Sequence, residues 1–155
     1  MKYLFGLVLA LFLSCPAGAG PVEDEAEASS FMNEYLDSVA TLDTHRVSLH
    51  FNEPFMFVTA ANTGVFAAHA DVEAWLRPQY SQLKSKDYGR SEWAPLRVKA
   101  LGSGVVIASA RFVRYKIDGS ALEDGGSTYL LRKTSGGWRI AAQTPHSPSA
   151  ALPLQ

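Results

Sequence analysis

Four histidines and a scatter of arginines, tyrosines and carboxylates carry whatever chemistry this chain can do. Arg111 interrupts an otherwise largely apolar stretch, and a guanidinium there can bind a carboxylate or an enolate oxygen. Alternatively it reaches water from the strand end and pairs with Glu123 or Asp124. His146 titrates near neutral pH and can serve as a catalytic acid or base. Equally, it is an exposed ring beside Pro145 close to the chain end. His45 and His50 lack the four-residue step that puts two ligands on one helix face, and His69 stands alone, so no metal site is expected. No cofactor is called for either. Tyr35, Tyr80, Trp93, Tyr115 and Tyr129 either line a cavity or fill the core; once buried, their O–H and N–H groups need partners. Glu92 and Glu123 are candidate bases only if the fold carries them to a cavity mouth.

The elements that must position these residues follow from periodicity. Residues 20–27 are acidic and read as a solvated lead-in, with Asp24 and Glu27 spaced to cap a helix start. Ala28, Phe31, Met32, Tyr35, Val39 and Leu42 then make the apolar stripe of an amphipathic helix. Thr44 is the expected N-cap of a short second helix running through Phe51 and ended by Pro54. A strand at 55–58 turns through Ala61-Asn62-Thr63-Gly64 into 65–68. A third helix from about Asp71 carries Val72, Trp75, Leu76, Tyr80 and Leu83, with Pro78 as a kink. Strands follow at 93–101, 105–117, 127–134 and 138–144, separated by glycine turns and by an exposed loop at 118–126. The tail from 147 to 155 is expected to fray. Helices first and a strand meander second make an α+β fold, with three helices packed on a curved antiparallel sheet.

Lysines and arginines number 14 against 15 acidic residues, and no basic stripe stands out, which excludes nucleic acid as an expected partner. Residues 1–19 read as a secretory signal: Lys2, an uncharged run from Tyr3 to Leu13, Pro16, and the small-x-small site Ala17-Gly18-Ala19. About eleven apolar residues are too few for a bilayer span, so no transmembrane segment is expected in the mature chain. Cleavage after Ala19 gives an exported protein, periplasmic or secreted, without its one cysteine, Cys15. Cleavage ahead of Cys15 would make a lipoprotein instead.

In order and spacing, several stretches resemble the NTF2-like (SnoaL-like) superfamily across residues 28–146. They are the first helix with Tyr35, the Leu42-Asp43 corner, Phe51 to Pro54, and Gly137-Trp138-Arg139-Ile140 followed by His146. The resemblance is closest to exported or cytosolic domains of unknown function. It implies a cone closed by a curved sheet around a cavity, often with homodimerisation through the outer sheet face. It also implies oxyanion donors at Tyr35 and, on the penultimate strand, Tyr129. The general base of ketosteroid isomerase-like members falls at Thr59, which cannot act as one near neutral pH unaided. By the same match Val113, Tyr115 and hence Arg111 point into the cone, as do Trp138, Ile140, Ala142, Thr144 and His146, while Trp93 is a further candidate for the lining. The expected function is therefore binding of a small, largely apolar molecule, by Tyr35, Thr59, Trp93, Arg111, Val113, Tyr115 and Tyr129. The alternatives are an isomerase, cyclase or dehydratase using His146, or a dimerising interaction module with a filled cone.

Overall fold

The computed structural model describes residues 20–154, so the expected signal segment 1–19 with Cys15 lies outside the described residues. The chain runs α1 (Pro21–Ala40), α2 (Thr44–Ser48), β1 (Phe51–Val58), β2 (Thr63–Phe66) and α3 (His69–Ser85). The long strands β3 (Tyr88–Gly102), β4 (Val105–Lys116), β5 (Ala121–Thr134) and β6 (Gly137–His146) follow. They form one six-stranded sheet in the order β2-β1-β6-β5-β4-β3. Every neighbouring pair is antiparallel except β1 with β6, which run parallel, so the sheet is mixed.

Helix α1 begins at Pro21, earlier than its apolar stripe predicts. Proline suits the first helical position, and the Gly20 N–H donates to Glu23 Oε2 at 3.1 Å. The acidic stretch is therefore helix, not lead-in, and Asp24 is buried at 1% exposure. Asp24 accepts from the Gly104 N–H at 2.9 Å and from Lys133 Nζ at 3.2 Å. Glu27 takes the Trp138 Nε1–H at 3.0 Å and also pairs with Lys133. These carboxylates clamp the start of α1 to the β3–β4 turn, β5 and β6. Asp43, not Thr44, caps α2 by accepting from the Arg46 N–H at 3.0 Å. Phe51 and Pro54 belong to β1, not to that helix.

The core lies between the helices and the concave sheet face. Phe51, Phe55, Met32, Leu131, Ile140, Val47, Val72 and Val106 are fully buried there. The stretch expected as the loop 118–126 is strand from Ala121 onward, because Gly125 and Gly126 leave room for rings from the neighbouring strands. A Cβ at Gly125 would sit 2.5 Å from the Phe112 ring, and one at Gly126 would run into the His146 ring. Glycine inside a strand often marks such close approach. The C-terminal tail also folds: Pro148–Ala150 make a 3₁₀ turn, and the Leu152 N–H donates to buried Ser109 Oγ at 2.9 Å.

Candidate functional site

Between the helices and the concave face lies a cavity of about 180 Å³. Helix α1 contributes Tyr35, Leu36 and Val39, and α3 contributes Trp75, Leu76, Gln79 and Tyr80. From the sheet come Phe57 of β1, Ser91 and Trp93 of β3, Phe112 and Arg114 of β4, Ser127 and Tyr129 of β5, and Gln143 and Pro145 of β6. The wall is mostly aromatic. Tyr35 meets Tyr129 edge to face at 6.0 Å between centroids, and Trp93 meets Tyr129 at 6.4 Å.

Three buried polar atoms on this wall have no hydrogen-bond partner among the described residues: Trp93 Nε1, Arg114 Nε and Gln143 Oε1. Buried polar groups are normally paired, so three orphans on one cavity are a concentrated exception. The Gln143 orientation is set from behind. Ser127 Oγ donates to the Thr144 carbonyl at 3.2 Å and so accepts from Gln143 Nε2 at 3.0 Å, which turns Oε1 away from Ser127. Arg114 is anchored by Nη1 to Glu123 Oε1 at 2.5 Å, leaving its Nε–H unpartnered. Burial pushes the Tyr129 phenol up to about 12 and those of Tyr35 and Tyr80 well above the usual value. The Arg114 charge pulls all three the other way, but burial wins. The phenols are thus neutral donors near pH 7. Among the described residues, no histidine or carboxylate side chain lines the cavity.

The family described as NTF2-like protein (DUF6841) matches residues 24–148. The chain belongs to this NTF2-like family. No curated protein matches in sequence. Solved structures of the same fold include an NTF2-like protein with a cystatin-like fold from Novosphingobium aromaticivorans, with a TM-score of 0.67 and 16% identity over 83% of this chain and 84% of that one. A protein of unknown function from Nostoc punctiforme, also with a cystatin-like fold, gives 0.64 at 10% identity over 86% and 96% of the two chains. An NTF2-like protein of unknown function from Shewanella oneidensis gives 0.62 at 13% over 77% and 96%.

Within this NTF2-like cone, Tyr35, Trp93 and Tyr129 line the cavity. The other expected site residues lie elsewhere. Arg111 faces outward and pairs with Asp124 at 3.0 Å, which is the alternative partner considered for it. Val113 and Tyr115 share that outer face, with the Arg90 guanidinium 4.3 Å above the Tyr115 ring. The inward set of β4 is the other one: Val106, Ala108, Ala110, Phe112 and Arg114. Its first four members are all apolar, whereas Ser109 and Arg111 break the outer set; that contrast was available in the sequence. Thr59 sits in the β1–β2 turn, its hydroxyl within 3.1 Å of Asn62 Oδ1 and away from the cavity.

His146 is on the outer face as well, with Nε2 3.0 Å from Thr128 Oγ1 and Nδ1 2.8 Å from the Ser147 carbonyl. A β-bulge explains this reversal. Leu131 pairs with Ile140 but Leu130 with Ala142, so Ala141 is an extra residue on β6. Trp138 and Ile140 face the core as expected. Beyond the bulge Gln143 and Pro145 turn inward, and Ala142 and Thr144 join Leu130 and Ile107 on the outer face. Among the described residues no three of His, Cys, Asp and Glu converge as metal ligands, and no helix is long and apolar enough to cross a membrane.

Proposed function

We propose that the chain is an exported domain that binds a small, largely apolar molecule in its cone and does not transform it. The observation that carries this reading is the set of three orphaned polar atoms, two donors and one acceptor, on one aromatic-walled cavity. Ligand pockets combine an apolar wall with a few placed polar groups in just this way. Turnover of the isomerase or cyclase kind needs a base within hydrogen-bond reach of the substrate. Here the lining offers neutral phenols, an indole, an amide and a guanidinium, none of which accepts a proton at pH 7. Native mass spectrometry of the protein from an exporting host tests both parts. A small-molecule adduct lost on denaturation, on a chain beginning at Gly20, is the expected result. A chain with no adduct that also fails to bind any small apolar probe overturns the binding reading, and a diacylglyceryl mass on Cys15 replaces free export with a lipid anchor.

A second reading, homodimerisation, draws on the outer sheet face. Ile107, Leu130, Ala142 and Val58 make a shallow apolar groove there, and Leu130 is 40% exposed. Leu130→Glu would place a charge in that groove. Sedimentation equilibrium then gives a dimer for the parent and a monomer for the variant; a parent that is already monomeric ends this reading.

A further inference from the structure

Resting on the reading of the cone as a small-molecule pocket, we propose that its ligand is a single-ring carboxylate that also carries a hydroxyl or amine donor, placed across the ring from the acid. Size comes first. About 180 Å³ is below the 300–1,000 Å³ of drug-sized pockets and close to the roughly 150 Å³ of an engineered apolar cavity that admits benzene. One ring with small substituents fits; two fused rings do not. The walls suit a ring, since Tyr35, Phe57, Trp75, Trp93, Phe112 and Tyr129 offer faces and edges for aromatic contact.

The polar atoms set the substituents. Trp93 pairs across strands with Phe112, and Ser91 with Arg114, so Trp93 and Arg114 are diagonal neighbours on the inner face. Long side chains at diagonal positions can reach one another. Their unpartnered Nε1–H and Nε–H therefore belong to neighbouring side chains on one side of the cavity wall, and we take them as one donor pair. Charge makes the partner an anion. Glu123, the carboxylate bound to Arg114, also bridges to Lys86 at 3.4 Å, so two cations share one anion and a net positive charge remains. Among the described residues, no acidic side chain lines the cavity to neutralise it. A carboxylate accepting from indole and guanidinium would satisfy both orphans with charge-assisted hydrogen bonds.

The third orphan, Gln143 Oε1, is an acceptor and calls for a donor on the ligand. Gln143 stands on β6, two strands from β4 in the sheet order, hence about 10 Å from it at the usual strand spacing. A ring spans that gap with its acid toward Arg114 and its donor toward Gln143.

Calorimetric titration of the purified full chain with 4-hydroxybenzoate, benzoate and the uncharged 4-hydroxybenzyl alcohol tests this. The expected order is 4-hydroxybenzoate tightest, benzoate weaker, and the alcohol at least tenfold weaker than 4-hydroxybenzoate. Trp93→Phe removes the indole N–H together with its five-membered ring and keeps a phenyl face on the wall. It and Arg114→Gln are each expected to weaken 4-hydroxybenzoate at least tenfold and the alcohol less, so that the preference for acid over alcohol falls. Gln143→Leu should bring 4-hydroxybenzoate down to the level of benzoate. Thermal melting of each variant identifies any that fails to fold, and Trp93→Phe carries the test if Arg114→Gln does. Equal binding of acid and alcohol overturns the carboxylate assignment and leaves the pocket reading standing. Binding of none of the three overturns the assignment too; the pocket reading falls with it only if native mass spectrometry also finds the chain empty.

Discussion

At the scale of single residues, the cavity is a place where protons are held rather than moved. Tyr35 and Tyr129 are buried, and desolvation favours the neutral phenol over the phenolate. In the unfolded chain both ionise near pH 10, whereas in the folded chain they stay protonated until about pH 12 for Tyr129 and beyond the usual value for Tyr35. Their contribution to stability is complete below pH 10 and lost as pH rises above it, because only the unfolded state releases protons there. Burial holds Tyr80 up in the same way, so absorbance titration at 295 nm is expected to show at least three fewer phenols ionising by pH 11 in the parent than in a urea-unfolded sample. Equal counts would mean that these rings are hydrated. The aromatic half of this site was legible in the sequence, since large rings at helical and strand spacing have few places to go but inward. Arg114 was legible only through the apolar residues that precede it on the same face of β4. Gln143 was not, because a single extra residue in its strand reverses which face turns inward.

Ala141 is that residue, and it shows what an element can hide. Period-2 alternation assigns His146 correctly only if β6 is regular, and no residue type in Ile140-Ala141-Ala142 announces a bulge. The start of α1 hides a different thing. A run of acidic residues reads as solvent-facing until the partners for Asp24 and Glu27, some eighty and more positions away, are known. The Gly104 N–H and the Lys133 ammonium hold the Asp24 carboxyl below its usual range, and Lys133 and Trp138 do the same for Glu27. For depressed carboxylates the stabilisation is present above the unfolded values of 3.8 and 4.5 and is lost as pH falls through the lower folded ones. Melting curves between pH 6 and 2 are expected to drop steeply for the parent. For Asp24→Asn they should start lower at pH 6 and fall less, because one of the titrating groups is gone. An Asp24→Asn variant with the parent's acid slope would remove this carboxylate from the account.

For the whole molecule, order of elements and α+β class were readable because helical and strand periods differ so clearly between the two halves of the chain. The parallel pairing of β1 with β6 was not, since it joins segments about ninety residues apart. The folded tail belongs here too, because it ties the chain end back to β4 through Leu152 and Ser109. Removing residues 148–155 deletes that hydrogen bond and uncovers buried Ser109, costing about 1 kcal/mol. A fall in Tm of a few degrees, read by calorimetry, is the expected outcome; an unchanged Tm would mean that the tail contributes nothing to the fold.

The glycine pair in β5 has a practical side. Gly125 lies beneath Phe112 inside the cone and Gly126 beneath His146 on the outer face, so adjacent codons address opposite sides of one sheet. An added methyl at 125 presses on whatever shares the cone with Phe112, while the same methyl at 126 presses on His146 and the turn into the tail. Alanine at each site in turn makes a matched pair of genetic handles, one reporting on the interior and one on the exterior, set a single peptide bond apart.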